Sequence, residues 1–428
     1  MRTRYTLRCL GSGKEFEDDD CMLESEYGQP AFLRTIYEKK QLSPGPDADG
    51  LFRFSEWLPA RKKISGSSAP VTFKSTGFGP KIGLDNLYLT FSGYWPEKGA
   101  NMVTGTFKEC EAYSVCARLP AGFDKVLVVA SAGNTARAFI NVCSKSNIPL
   151  AVVVPQKNLE SIWADHDVNP CVKLIAAGGE SDYFDAIKLS RMICSLNGFV
   201  PEGGAKNVGR RDGMSCTVLS AVTFIGTIPE YYFQAVGSGT GAIAAWEANL
   251  RLLEDGRFGQ RKMKLIVSQN EPFLVLYNSW KNGTRDLCKV SPQRARELAV
   301  EMYAKVLSNR LPPYSIIGGV YDALADGGGD VLSVENREAL VTGKVFQETE
   351  GIDPAPAAAV ALASLKQAAE RGLVSKNSLI MINVTGGGYE VLKREGKTLP
   401  VTPTAVIDPQ DLKSDAAIVE RTIRTLFN

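Results

Sequence analysis

Short apolar runs alternate with amphipathic stretches from about residue 125 onward. The apolar runs predict strands over 126–130, 150–155, 172–177, 233–237, 264–268 and 379–384. Apolar positions at helical spacing predict helices over 134–147, 182–197, from about 241, 291–309 and 355–371. Strands that are apolar at nearly every position are typical of parallel sheets with helices packed on both faces. The pattern therefore predicts an α/β protein built on open parallel sheets.

The first thirty residues follow a different pattern, in which two short polar turns each carry one cysteine. Cys9-Leu-Gly-Ser12 and Cys21-Met-Leu-Glu24 look like the halves of a zinc ribbon that has lost one cysteine from each. Structural zinc sites take four thiolate or imidazole ligands, and this segment offers two thiols. We therefore expect a small, degenerate zinc-ribbon-like β unit over 1–30 that holds no metal.

Composition and charge narrow the class of protein. Hydrophobic residues make up 44% and charged residues 22% of the chain, as in globular proteins, and the net charge is only +2. So small a basic excess argues against a nucleic-acid partner. The first residues lack the apolar stretch of a signal peptide, and the uncharged stretch 213–229 contains Ser, Thr, Gly and Pro, typical of a buried helix. We expect a cytoplasmic protein without a membrane span.

The chain contains a single histidine, His166, which limits the chemistry that it can perform. Sites that need two imidazoles are excluded, and we expect this histidine, in a polar stretch, to be solvated. The nine cysteines are scattered and follow no secretion signal, so we expect free thiols. If the protein is an enzyme, its acid–base chemistry falls to Lys, Asp, Glu or a cofactor.

Glycine-bearing turns follow three of the predicted strands: Ser131-Ala-Gly-Asn-Thr135, Gly237-Ser-Gly-Thr-Gly241 and Thr385-Gly-Gly-Gly388. Ligands of open α/β sheets bind at such carboxyl ends of strands. In 237–241, backbone N–H groups can converge on an anion, and the helix that follows adds positive potential, so a phosphate is the natural ligand. The spacing is neither that of a P-loop nor Gly-x-Gly-x-x-Gly, and a tight turn without a ligand is an equal alternative.

Upstream of these turns, Thr104-Gly-Thr-Phe-Lys108 places a lysine in an otherwise apolar setting. A solvated lysine is the ordinary interpretation. Lysine is also the side chain that forms a Schiff base with an aldehyde cofactor, and partial burial frees its amine. A lysine, a phosphate loop and a polar asparagine loop on separate parallel strands together indicate pyridoxal phosphate as the cofactor.

These motifs, with Asn383-Val-Thr-Gly-Gly-Gly388, occur in the order and spacing of the threonine synthase family, which the chain resembles over most of its length. That family belongs to the fold-type II pyridoxal-phosphate enzymes, relatives of tryptophan synthase β. The resemblance implies two open parallel-sheet domains. A large cofactor-binding domain would comprise 31–125 and 216–428, and a small, mobile, substrate-binding domain would comprise 126–215.

The resemblance also implies roles for individual residues. Lys108 would be the catalytic Schiff-base lysine, Asn134 would hydrogen-bond the ring hydroxyl, and Thr385 would face the pyridine nitrogen. A hydroxyl at that nitrogen favours elimination and replacement over transamination. The cofactor phosphate would lie against Gly237, Ser238, Gly239, Thr240 and Gly241. The substrate would contact Ser131, Ala132, Gly133, Thr135, Arg210 and Arg211.

The departures from the family pattern concern the substrate side. Glu109-Cys110-Glu111 stands where the family usually has Asp-Arg-Gly, and Ala132 stands where it has threonine. As a whole the chain is most similar to the branch of the family in coenzyme M biosynthesis that replaces the phosphate of O-phosphoserine with sulfite. Both anions need positive charge, for which the sequence offers Arg137, Lys206, Arg210 and Arg211. Each of these cations has a solvated surface position as its alternative.

Two other functions remain open at this point. Threonine synthase activity on O-phosphohomoserine is the second candidate, and a non-catalytic paralogue that binds pyridoxal phosphate or an amino acid is the third. Retention of Lys108, Asn134 and Thr385 together argues against the non-catalytic paralogue. In all three cases the expected partners are small molecules and further copies of the chain in a homo-oligomer, not nucleic acid or membrane.

Overall fold

The structure is a computed structural model that describes residues 3–25, 28–408 and 416–427. Its strands are β1 Tyr5–Cys9, β2 Glu15–Phe16, β3 Leu33–Tyr37, β4 Val71–Lys74, β5 Leu87–Phe91, β6 Tyr94–Trp95, β7 Ala100–Asn101, β8 Val126–Ala130, β9 Leu150–Pro155, β10 Trp163–Ala164, β11 Val172–Ala177, β12 Phe199–Pro201, β13 Tyr231–Ala235, β14 Lys264–Asn270, β15 Asp330–Val334, β16 Ile380–Val384, β17 Leu399–Pro400 and β18 Ala405–Ile407.

The α-helices are α1 Phe78–Lys81, α2 Lys108–Arg118, α3 Asn134–Ser146, α4 Tyr183–Cys194, α5 Val208–Ile225, α6 Thr240–Asp255, α7 Val275–Lys281, α8 Pro292–Glu301, α9 Val320–Gly327, α10 Asn336–Glu350, α11 Pro356–Glu370, α12 Tyr389–Arg394 and α13 Ala416–Phe427. Short 3₁₀ segments cover Asp47–Trp57, Pro96–Lys98, Gln156–Ser161, Gly204–Lys206 and Lys305–Leu307. Among the described residues, no helix combines the length and apolar composition needed to cross a bilayer.

A six-stranded sheet forms the larger layer, in the order β15-β14-β13-β16-β5-β4. Neighbouring strands are parallel except at one edge, where β4 runs antiparallel to β5. Every residue of the central strand β16 is buried, because helices cover both faces of the sheet. This explains why its sequence is apolar at nearly every position.

A five-stranded parallel sheet forms the smaller layer, in the order β12-β8-β9-β11-β18. The last strand in this order differs from the predicted domain boundaries, which placed all of 216–428 in the large domain. β18 returns to the small sheet and pairs with Ile175–Ala177, where it covers an otherwise open edge. β17 crosses over as well and pairs with β10. Residues 409–415 and 428 of the predicted large domain lie outside the described residues.

The N-terminal segment forms a three-stranded antiparallel sheet in the order β2-β1-β3. Its third strand, 33–37, extends the unit beyond the predicted limit at residue 30. Buried Arg118 ties it to the rest of the chain through two 2.7 Å hydrogen bonds to Asp18. No group of three or more side chains suited to a metal ion occurs in the described part of the chain.

Helix α5 covers 213–225 of the stretch 213–229 that we predicted to be a buried helix, and most residues of the helix are buried. Its position next to α2 depends on a glycine. A Cβ atom on Gly213 would lie 2.4 Å from the carbonyl oxygen of Cys110, so a larger residue would push the two helices apart. Because α2 begins with Lys108, this close contact fixes the helix that carries the predicted catalytic lysine.

The predicted helix over 291–309 is wrong in its second half. α8 starts where expected, with the Ser291 hydroxyl accepting a hydrogen bond from the backbone of Arg294, but it ends at Glu301. The next N–H groups donate elsewhere: Tyr303 to Asn336 and Ala304 to Asn270, at 2.9 and 2.8 Å. These tertiary hydrogen bonds replace the helical ones, and residues 303–309 line a cavity instead of continuing the helix.

The expectation of a solvated histidine is also wrong. The His166 side chain is 25% exposed. One of its ring nitrogens lies 2.7 Å from an oxygen of Asp165 and the other lies 2.9 Å from the Ser144 hydroxyl. The ring is therefore held in place by two neighbours and belongs to the structure of the small layer.

Candidate active site

The carboxyl ends of β8, β13 and β16 open onto one cavity of about 830 Å³, whose walls come from both parallel sheets. The structure brings together around it Lys108, the asparagine loop 131–135, the glycine loop 237–241 and Thr385. These segments are far apart in sequence. The glycine loop and Thr385 meet because β13 and β16 are neighbouring parallel strands, which present their carboxyl ends at the same edge of the large sheet. The asparagine loop follows β8 of the small sheet and closes the cavity from the other side.

Lys108 begins α2 and projects into the cavity, where its side chain is 19% exposed. The segment before it is fixed to the large sheet, since the N–H of Phe107 donates to the carbonyl of Thr385 at 3.0 Å. Burial lowers the pKa of the Lys108 amine, and the neighbouring Glu111 carboxylate opposes that shift. The amine is thus closer to its neutral, reactive form than a solvated lysine.

A chain of charges runs from Lys108 into the protein interior. The lysine Nζ lies 3.2 Å from Glu111 Oε2, and Glu111 Oε1 lies 3.1 Å from Nη1 of Arg210. Arg210 also forms a two-pronged ion pair with Glu202. The Thr135 hydroxyl donates to Glu111 at 2.9 Å. Glu111, fully buried, therefore connects the lysine to the asparagine loop and to a buried arginine.

Replacing Glu111 with glutamine is expected to make Lys108 titrate at lower pH. The carboxylate favours the charged amine, so its removal lowers the lysine pKa further. A rate that needs the neutral amine falls as pH drops through that pKa, and the acid limb of kcat for phosphate release should move to lower pH. Glu109→Gln is the matched control and should leave the limb in place. An unchanged acid limb in Glu111→Gln would contradict the coupling.

Glu109 itself lies behind the site. It is buried, accepts hydrogen bonds from the backbone N–H and hydroxyl of Thr104 at 3.0 and 2.9 Å, and does not line the cavity. Burial raises the pKa of its carboxyl to about 7. Cys110 packs into the core. Of the three residues after Lys108 that depart from the family pattern, only Glu111 contacts the lysine. Glu109 instead holds Thr104, in the segment that precedes Lys108.

The glycine loop 237–241 forms the N-terminus of the 16-residue helix α6. Gly239 has φ +76°, and a Cβ there would lie 2.4 Å from Cγ2 of Val320, so this position requires glycine. The hydroxyls of Ser238 and Thr240 lie 2.9 Å apart at the mouth of the helix. Backbone N–H groups, a helix dipole and two hydroxyls at one point are suited to a phosphate group.

The asparagine loop is held by its own side chains. The Ser131 hydroxyl accepts from the N–H groups of Gly133 and Ala136, each at 3.0 Å. Nη2 of Arg137 donates to Oδ1 of Asn134 at 2.8 Å. With that oxygen engaged, the Asn134 amide N–H₂ is the part of the side chain left for an acceptor in the cavity.

The four candidate cations have separate positions. Arg211 lies outside the cavity, fully buried against Glu247, so its predicted substrate contact is wrong. It shares a helix with Arg210, but the next residue of a helix points about 100° away. Lys206 also lies outside and pairs with Glu24. Arg210 lines the cavity and forms ion pairs with two carboxylates. Arg137 also lines the cavity, but its hydrogen-bond acceptors in the described chain are all uncharged.

The residues at the cavity fit pyridoxal phosphate. The amine with a lowered pKa suits the aldehyde, the glycine loop suits the phosphate, and Asn134 and Thr385 suit the two polar positions of the ring. The Thr106 hydroxyl, next to Lys108, is buried without a protein hydrogen-bond partner, as expected beside a polar ligand. Tyr389, which sequence reasoning missed, also lines the cavity. Its signal was its position directly after Gly388.

Comparison with known proteins defines the class. Residues 97–386 match the family described as pyridoxal-phosphate dependent enzyme. The structure of maize serine racemase superposes with a TM-score of 0.55 at 16% identity, covering 76% of this chain and 93% of that one. The fold and the family match define a pyridoxal-phosphate dependent enzyme, so the predicted fold class and cofactor are confirmed. The zinc-ribbon character of the N-terminus is not part of that match.

Sequence relatives identify the branch. The chain is 42% identical to the cysteate synthase of Methanosarcina acetivorans over 96% of this chain and 98% of that protein. It is 45% identical to the cysteate synthase of Methanocella paludicola over 93% of each. The chain therefore belongs to the cysteate synthase family.

Proposed function

We propose that the protein is a cysteate synthase, which converts O-phospho-L-serine and sulfite into L-cysteate and phosphate in coenzyme M biosynthesis. The observation that carries the proposal is that the Lys108 amine, whose pKa burial lowers, shares one cavity with a loop suited to a phosphate group. Near-full-length similarity to cysteate synthases supports the choice of reaction. The small-molecule substrates follow from that similarity.

Four groups of the chain would hold the cofactor. Lys108 would bond its aldehyde carbon, and the loop 237–241 would hold its phosphate. Asn134 would donate to its ring hydroxyl, and the Thr385 hydroxyl would face its pyridine nitrogen. When bound, pyridoxal phosphate supplies an electron-withdrawing ring that acidifies the Cα proton of an attached amino acid.

The chain then has to move one proton and hold two anions. The free amine of Lys108 takes the Cα proton, the Cβ–O bond breaks with its electron pair leaving on phosphate, and sulfite donates its sulfur lone pair to Cβ. Lys108 returns the proton to Cα. Because Lys108 makes both proton transfers, the scheme needs no imidazole, and His166 does not line the cavity. The loop residues Ser131, Gly133 and Thr135 would hold the substrate near Cα.

The test compares two substrate pairs with the protein loaded with pyridoxal phosphate. Phosphate and cysteate should appear from O-phosphoserine with sulfite, and O-phosphohomoserine in water should release little phosphate. Threonine formed faster than cysteate would favour threonine synthase. A cofactor absorbance that no amino acid changes, with no phosphate release from either substrate, would favour the non-catalytic paralogue. Homo-oligomeric assembly and a cytoplasmic location stay predictions.

A further inference from the structure

Arg137 is an unusual buried cation. It is 4% exposed in the wall of the cavity, and each of its protein acceptors is neutral. Its Nε donates to the Thr104 carbonyl at 3.3 Å and its Nη1 to the Ser161 carbonyl at 2.9 Å. Its Nη2 donates to Asn134 Oδ1 at 2.8 Å and to the Tyr389 hydroxyl at 3.2 Å.

The other buried arginines of the described chain each meet a carboxylate. These pairs are Arg118–Asp18, Arg210–Glu111 with Glu202, Arg211–Glu247 and Arg251–Asp212. For Arg137, in the same described residues, no carboxylate lies within ion-pair distance. The faces of Trp163 and Tyr389, at 4.6 and 5.6 Å from the guanidinium carbon, offset part of the cost of burying this charge. The rest of this burial cost stays uncompensated until an anion binds next to the guanidinium.

The geometry also leaves donors for that anion. Four hydrogen bonds use four of the five N–H groups of the guanidinium, so one on Nη1 remains. The Tyr389 hydroxyl accepts from Arg137 and keeps its own proton to donate. Both side chains line the cavity, Arg137 from α3, which packs on the small sheet, and Tyr389 from α12, which follows β16 of the large sheet. One uncompensated charge and two donors thus face the same space.

We propose that Arg137 and Tyr389 form the oxyanion subsite next to Cβ of the substrate, occupied first by the leaving phosphate and then by the entering sulfite. This rests on the proposed function. Both anions bond to the same carbon, so one subsite serves them in succession. Hydrogen bonds to the oxygens of sulfite leave the lone pair on sulfur free to form the C–S bond. The subsite differs from the glycine loop, which would hold the cofactor phosphate.

Steady-state kinetics of single variants test the subsite. Tyr389→Phe removes one donor and keeps the ring, and should raise the KM for sulfite about 5- to 10-fold with a smaller change in kcat. Arg137→Gln removes the charge and should raise it about 10- to 150-fold. Arg137→Lys keeps the charge but lacks the two-pronged guanidinium group. Its KM for sulfite should lie between those of wild type and Arg137→Gln. Arg424→Gln, which removes an exposed cation paired with Glu420 outside the cavity, is the control.

A binding measurement gives a readout independent of turnover. Equilibrium dialysis of the cofactor-loaded protein with radiolabelled sulfate, an unreactive oxyanion, should show binding that O-phosphoserine displaces. Arg137→Gln and Tyr389→Phe should weaken that binding by the same factors as the sulfite KM. Inorganic phosphate and sulfite, used as competitors, report separately on the leaving and entering anions. If only one of them competes, a subsite shared by both is overturned.

Two further outcomes would overturn the proposal, and each differs from failure of the function. If wild type forms cysteate while Tyr389→Phe and Arg137→Gln keep its sulfite KM and sulfate affinity, the subsite lies elsewhere. If Arg137→Gln alters only the visible spectrum of the cofactor, Arg137 merely orients Asn134, and the subsite is again wrong. Should Arg137→Gln fail to fold, Tyr389→Phe alone decides. A wild type that forms no cysteate refutes the proposed function instead.

Discussion

Lys108→Ala is expected to lose all measurable phosphate release, a fall of at least about 10⁴-fold in kcat. The variant lacks both the amine that bonds the cofactor and the base that moves the Cα proton. The visible absorbance of the lysine-linked cofactor should disappear with it. Phosphate release and the absorbance spectrum after loading with pyridoxal phosphate are the measurements.

Retained cofactor alone would not rescue the variant, because the glycine loop still offers its phosphate a site. The matched control is Lys206→Ala, which removes a lysine that pairs with Glu24 outside the cavity and should keep normal turnover. Turnover by Lys108→Ala at near wild-type rate would refute the assignment of the catalytic lysine, and with it the order of events proposed around that residue.

Much of the fold was predictable because the central strands leave little choice. A strand such as β16, buried at every residue, is apolar at all positions except Asn383, and the glycines after it turn the chain toward a helix. The same reasoning located the loops that line the cavity, since each follows an apolar run directly. The pattern is local, and the physical constraint that produces it acts on a few neighbouring residues.

What sequence could not predict depends on partners distant along the chain. Nothing local in 302–309 shows that Asn270 and Asn336 will take the hydrogen bonds of the next helical turn. Nothing local in 405–407 shows that a sheet edge 230 residues earlier needs covering; Ala405 pairs with Ile175. Arg210 and Arg211 are neighbours of the same type, yet one meets the cavity and the other Glu247.

Because Arg210 is buried between two carboxylates, its replacement should destabilise the fold. Arg210→Met is expected to lower the free energy of unfolding by about 3–5 kcal/mol, because it leaves Glu111 and Glu202, 0% and 4% exposed, without their common cation. Chemical denaturation of the cofactor-free protein measures that loss. The sequence suggested instead that this arginine binds substrate, which would alter a Michaelis constant and leave stability nearly unchanged.

The same substitution should act on Lys108 with a defined sign. The positive charge of Arg210 lowers the pKa of the lysine amine, so its removal raises that pKa and moves the acid limb of kcat to higher pH, opposite to Glu111→Gln. Arg211→Met is the matched control: it also breaks a buried ion pair and should destabilise the fold, but it lies outside the cavity and should leave the limb in place. Adding Glu111→Gln to Arg210→Met removes one of the two carboxylates that have lost the arginine and should restore part of the stability. If Arg210→Met unfolds at the wild-type denaturant concentration and changes only the KM for an anion, the arginine is a substrate ligand and the charge chain from Lys108 to Glu202 is not structural.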